Sequence, residues 1–207
     1  MTRAPADPLR QSANLGNNLG VHDLIDRHRR ACDGFSRVAR AVPPEQWSAR
    51  TPCTEWTARD LLEHVIGFHE FLLLRPLGVR ANRPREGPAA RWDATADALF
   101  EALAAEGVLD RATDLPGGGH STPRQMLGAL TTDVLVHTWD LARATDVAPL
   151  LDEELCAGAY AAARGTDVGR DAGMVGPEVR VDDDADVATK LIALYGRDPS
   201  WTPRQGP

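Results

Sequence analysis

Apolar residues recur at three- and four-residue steps along most of this chain, and each such stretch is closed by proline or glycine. Leu24, Ile25, His28, Cys32, Phe35, Val38 and Ala39 mark a first helix near 20–41. Val42-Pro43-Pro44 ends it, because a proline drives the residue before it out of helical geometry. Thr57-Ala58-Arg59-Asp60 reads as a capping box opening a second helix near 58–76. Its Leu61, Leu62, Val65, Ile66, Phe68, Leu72 and Leu73 cover more than one face, which predicts a central position. A third helix is expected near 93–106. A fourth, near 123–145, starts at Ser121-Thr122-Pro123 with proline in its first turn. Asp152 caps a fifth near 153–164, and a last helix near 185–196 runs into Gly196-Arg197-Asp198-Pro199.

Between the helices, residues 43–56 form a loop carrying Trp47, Cys53 and Trp56. Residues 78–92, with four arginines, read as an exposed loop, and Gly117-Gly118-Gly119 reads as a turn. The glycine run lacks the lysine and the strand context of a phosphate-binding loop. No βαβ alternation and no internal repeat is visible. The pattern predicts an all-α helical bundle with long loops. Residues 1–18 are expected to be a flexible N-terminal arm, 19–168 the bundle, and 169–207 a C-terminal extension packed on it.

The fourth helix carries the most pointed chemistry. Asp133 and His137 stand four residues apart, one turn apart on one helix face. A carboxylate and an imidazole so placed can share a divalent metal ion. A third ligand must come from elsewhere, and His64 on the second helix is the candidate. Each residue also has a plainer reading. A histidine flanked by Leu61, Val65 and Phe68 is commonly just hydrogen-bonded in or near the core. Asp133, a poor helix former in mid-helix, could face solvent or pair with an arginine. Asp60, also four residues before His64, could join the metal or orient the imidazole, with its capping role the simpler account. His69 lies about 140° around the helix from His64 and should face away. His120 is an outside candidate in a loop, and His22 and His28 are expected on the surface or flank of the first helix. Trp139 is expected in the core and Asp140 as a structural hydrogen-bond partner. Arg75, Arg80, Arg83 and Arg85 could bind an anion, but solvated loop charges are the commoner case.

Composition narrows the function classes. The chain has 207 residues, 43% of them hydrophobic, enough for one domain with a real core. A net charge of −7 argues against a nucleic-acid or anionic-membrane partner. No apolar run approaches the roughly 20 residues of a membrane span, and the N-terminus has no apolar signal region. Cys32, Cys53 and Cys156 are scattered, with no CxxC pair, no neighbouring histidine and no helix start to activate a thiol. They are expected to be structural in a reducing cytoplasm. The metal suited to two histidines and a carboxylate is zinc first, with iron, nickel or copper as alternatives. The partners expected are a small-molecule substrate and, at most, a second copy of the chain in a homodimer.

Thr51-Pro52-Cys53-Thr54-Glu55-Trp56-Thr57-Ala58-Arg59-Asp60-Leu61-Leu62-Glu63-His64 resembles a signature of actinobacterial DinB/YfiT-like proteins. More narrowly it is similar to the metal-binding domain family of mycothiol-dependent maleylpyruvate isomerase. Asp133-Val134-Leu135-Val136-His137-Thr138-Trp139-Asp140-Leu141-Ala142 resembles that family's second signature. Leu191 to Trp201, with Gly196-Arg197-Asp198-Pro199 inside it, resembles the ending of one subgroup. The resemblance implies a DinB-type four-helix bundle with an extra C-terminal helix. It also implies a divalent metal held by His64, Asp133 and His137, with aspartate where the isomerase has glutamate. Mycothiol is implied as a cosubstrate. The implied activity is metal-dependent small-thiol transfer or thiol-assisted isomerisation, against a non-catalytic metal-binding or small-molecule-binding alternative.

Overall fold

The structure, a computed structural model, describes residues 8–115 and 118–203. Six helices carry almost all of its regular structure: α1 (Pro8–Ala41), α2 (Ala58–His69), α3 (Pro88–Leu103), α4 (Pro123–Ala144), α5 (Glu153–Ala163) and α6 (Val187–Leu194). A two-stranded hairpin of β1 (Thr113–Asp114) and β2 (His120–Ser121) precedes α4. The fold is all-α and DinB-like, as the sequence pattern and the resemblance led one to expect.

Local chemistry sets the helix starts. Thr57 Oγ1 accepts from the Asp60 amide at 3.2 Å while Asp60 Oδ2 accepts from the Thr57 amide at 2.9 Å, closing the predicted capping box. Thr122 and Gln125 close a second box at the start of α4, with Pro123 behind the cap. Asp152 accepts from the Leu155 amide at the start of α5.

Two helix starts and one short hairpin differ from the sequence reading. The helix α1 begins at Pro8 rather than near 20; residues 1–7 of the expected arm lie outside the described residues. The helix α3 begins at Pro88 rather than 93, so the end of the expected arginine-rich loop is helical. Burial explains this start: Trp92 is fully enclosed, edge-on to Phe35 at 5.0 Å, and donates its Nε1–H to Ser36 Oγ at 2.8 Å. The hairpin was not anticipated, because four strand residues offer no periodicity. Gly118 and Gly119, at φ +95° and +85°, make its turn, while Gly117 of the expected glycine turn lies outside the described residues.

Helices α1 and α2 each pack against both α3 and α4 around a shared core of Phe35, Leu61, Leu62, Leu99, Leu127 and Leu130. The most enclosed element is α4, whose residues Val134 to Ala142 are all buried. On its other side Val136 and Trp139 form a small cluster with Ile192 of α6, flanked by Tyr195 and Trp201. The C-terminal strap is tied down by Arg143, which donates to the Pro199 carbonyl at 2.7 Å. At its last helical turn α2 widens into a π-helical turn, Glu70–Leu74, with the Arg75 amide bonded to the Glu70 carbonyl at 2.9 Å. Arg75 and Arg83 lean on the nearly buried Glu70 carboxylate at 3.5 and 3.4 Å, so this part of the arginine group is tethered. No described helix is long and apolar enough to cross a membrane.

Candidate metal centre

Helices α2 and α4 lie side by side, and their facing surfaces bring His64 against the Asp133/His137 face. The three ligand atoms lie within 4.8 Å of one another. Asp133 Oδ1 is 3.4 Å from His137 Nε2 and 3.7 Å from His64 Nε2. Both separations are long for a hydrogen bond. They are close to the distance between two ligands that each stand about 2.0–2.2 Å from one tetrahedral ion, roughly 3.3–3.6 Å, with the His64 separation slightly longer. Asp133 Oδ2 is buried with no hydrogen-bond partner. A buried carboxylate oxygen without a partner costs free energy unless a cation satisfies it.

His137 is held from behind. Its Nδ1 lies 3.0 Å from Asp140 Oδ2, at hydrogen-bond distance, so the proton belongs on Nδ1 and Nε2 faces Asp133. Asp140 is completely enclosed, and Arg197 neutralises it from the C-terminal strap, with Nη2 at 3.0 Å and Nε at 3.3 Å. Cys53 completes this layer: its thiol faces Asp140 Oδ2 at 3.4 Å and receives Arg197 Nη2 at 3.1 Å. A carboxylate–histidine pair behind a prospective ligand fixes the ring and raises its basicity.

Electrostatics follow from these contacts. Burial alone would push the Asp133 carboxyl up, but His137 and His64 outweigh it and hold it well below the usual carboxylate range. Burial pushes the His137 imidazole down, yet Asp133 and Asp140 outweigh that and raise it well above its ordinary value. Asp140 is likewise lowered against its burial by His137 and Arg197. In the absence of a metal the two flanking carboxylates thus favour the charged form of His137.

The outer wall is aromatic. The Trp56 and Phe68 ring centroids each lie 4.6 Å from that of His64, and Trp56 lies 5.9 Å from His137. His64 and Asp133 keep about a fifth of their side-chain surface exposed, whereas His137 is nearly closed off.

The structure brings His64 to the Asp133/His137 pair that the spacing had placed on one helix face, and Asp60 stays in its capping box. Asp140 is a hydrogen-bond partner and Trp139 is buried, as expected. His120 pairs instead with Asp114 across the hairpin at 2.7 Å, on the surface. His69 does face away. The flank position expected for His28 is overturned: it is fully buried against His69 and Cys32. The isolation expected for the cysteines is overturned twice. Cys32 touches His28, and Cys53 joins His137 and Asp140 through a loop whose approach no local spacing reveals. Arg197 was visible only as part of a motif; its salt bridge crosses from the far end of the chain.

These features define a class: an all-α bundle with two histidines and an aspartate gathered between adjacent helices. The sequence profile of the family described as the mycothiol maleylpyruvate isomerase N-terminal domain matches residues 28–142, and the chain belongs to that family. An uncharacterized protein of Mycobacterium tuberculosis, in strain CDC 1551 / Oshkosh and in strain ATCC 25618 / H37Rv, is 39% identical over 165 residues, covering 76% of this chain and 82% of its own length. Crystal structures of the mycothiol-dependent maleylpyruvate isomerase and of a histidine-to-alanine mutant of it superpose with TM-scores of 0.43 and 0.41. Their identities are 15% and 14%, and each match covers 69% of this chain and 68% of the other.

Proposed function

We propose that this chain is a divalent-metal-dependent enzyme acting through His64, Asp133 and His137 on a small thiol of the mycothiol type, by thiol transfer or thiol-assisted isomerisation. The observation that carries the reading is the unpartnered buried Oδ2 of Asp133 beside two imidazole nitrogens spaced as co-ligands. Three protein ligands leave a coordination position open, as in catalytic rather than closed structural zinc sites; the donor set suits zinc, iron, nickel or copper, and affinity order favours zinc or copper. An ion there would supply Lewis acidity, stabilising a thiolate or polarising a carbonyl.

The chain's own groups do the rest. Asp140 holds the His137 ring so that Nε2 faces Asp133, and Arg197 keeps Asp140 ionised in a fully enclosed position. An ion held there would require His137 Nε2 free of its proton, so its binding would weaken in acid. Trp56 and Phe68 pack against the His64 ring and place apolar surface beside it. The family membership supports a thiol cosubstrate, and the three free cysteines fit a reducing cytoplasm where such thiols persist.

The test is an assay of mycothiol with a panel of electrophiles and with maleylpyruvate. The expected result is thiol-dependent turnover that a chelator abolishes, zinc restores and His137→Ala lacks. A zinc-loaded protein that leaves thiol and maleylpyruvate unchanged overturns the catalytic reading.

A further inference from the structure

A second cluster lies deeper in the bundle, where α1, α2 and α4 meet. His28, Cys32 and His69 are 0%, 1% and 0% exposed. His28 Nε2 is 3.2 Å from His69 Nε2 and 3.6 Å from Cys32 Sγ, and all three atoms lie within 4.8 Å of one another.

The hydrogen bonds around the rings fix their protons. His69 Nδ1 lies 2.7 Å from the Val65 carbonyl, which can only accept, so Nδ1 carries the proton. Thr131 gives its hydroxyl proton to the Leu127 carbonyl at 2.6 Å, so its oxygen must accept from His28 Nδ1 at 3.0 Å. Both imidazoles are therefore protonated at Nδ1, and two bare Nε2 lone pairs confront each other at 3.2 Å. Such a pair repels unless a cation lies between the nitrogens. A proton there would make a buried imidazolium, and burial lowers both histidines, His28 well below its ordinary value.

We infer that His28, Cys32 and His69 form a second metal site, distinct from the His64/Asp133/His137 centre, that takes a soft thiophilic d10 ion, copper(I) before zinc. Ligands about 2.0–2.3 Å from one ion stand roughly 3.3–3.7 Å apart, close to the distances seen. The Val65 carbonyl and the Thr131 hydroxyl behind the rings are the supports metal-bound histidines have. Charge selects copper(I). With the Cys32 thiol deprotonated, copper(I) leaves a neutral buried unit, whereas zinc leaves a net charge in a dry core and lacks a fourth ligand among the clustered residues. Burial holds the Cys32 thiol neutral in the empty site, so its proton goes to solvent as the ion binds; no electron is exchanged.

The test uses the full chain carrying His137→Ala and Cys53→Ser, which removes the first centre and its nearby thiol. Anaerobic copper(I) titration against a chromophoric chelator should show one equivalent bound. X-ray absorption on that variant should show one sulfur and two imidazole nitrogens. Adding Cys32→Ser, a near-isosteric change, should weaken copper(I) binding at least about 100-fold and remove the sulfur signal. No binding, binding without sulfur, or affinity unchanged by Cys32→Ser overturns the assignment. These outcomes do not depend on the thiol chemistry proposed for the first centre.

Discussion

Replacing Asp140 with asparagine separates holding the metal ligand from merely filling space. The side chain keeps its size and one acceptor oxygen, but the charge that balances Arg197 and His137 is gone. Breaking a buried ion pair from one side costs about 3–5 kcal/mol, and the retained acceptor places Asp140→Asn at the lower end. For a chain of this size each kcal/mol moves Tm by about 2–4 °C, so a fall of roughly 6–12 °C is expected. The second effect concerns affinity. With no carboxylate on Nδ1, His137 loses basicity and orientation, and zinc affinity should fall by about 10- to 100-fold. Thermal unfolding in chelator reads the first number, and zinc competition against a fluorescent chelator at a temperature where the variant is folded reads the second. Zinc affinity equal to wild type in a folded variant would refute the claim that Asp140 supports a ligand. An unchanged Tm would refute the claim that its charge is structurally paired.

Three further outcomes follow from the same contacts. In the metal-free chain His137 should stay charged through neutral pH in imidazole NMR. Its raised value means that its stabilising contribution is complete below about pH 6.5 and is lost only as pH rises through the higher folded-state value, whereas those of Asp133 and Asp140, both lowered, hold above about pH 4 and fade in acid. Zinc affinity should accordingly drop up to about tenfold per pH unit on acidification, and a His137 that titrates at or below 6.5 contradicts this. Gly196→Ala puts a Cβ 2.9 Å from the Gly176 backbone at φ +78°, which should cost about 1–3 kcal/mol and loosen zinc binding by shifting Arg197; an unaltered Tm argues against it. Thr57→Ala opens the α2 capping box and should cost about 1 kcal/mol in chelator melts while leaving zinc affinity unchanged, so a large affinity loss would mean that the start of α2 matters to the centre more than its geometry suggests.

Much of this arrangement was legible in the chain itself, for identifiable reasons. Period-3.6 stripes and the Thr57, Thr122-Pro123 and Asp152 starts are local signals, so they marked α2, α4 and α5 to within a few residues. The Asp133/His137 pair is also local, since one helix turn fixes its geometry. His64 could be proposed only by residue type and resemblance, because the packing of α2 on α4 is tertiary. Arg197 and Cys53 reach Asp140 from opposite ends of the sequence, and no window contains all three. His28 was misplaced because a histidine reads as polar in a helical stripe; its burial depends on Thr131 and His69, which arrive from other helices. The hairpin at 113–121 and the early start of α3 escaped because four strand residues carry no period and a proline opening a helix looks like any loop proline.

The central claim is that α2 and α4 together build a metal site. Zinc affinity measured by competition in a chain carrying Cys32→Ser, and then with His64→Ala, Asp133→Ala or His137→Ala added one at a time, tests it most directly. The account predicts one tight equivalent in the starting chain and its loss in each of the three variants, with all four proteins folded. A starting chain that stays metal-free after reconstitution, or an affinity indifferent to these residues, would contradict it.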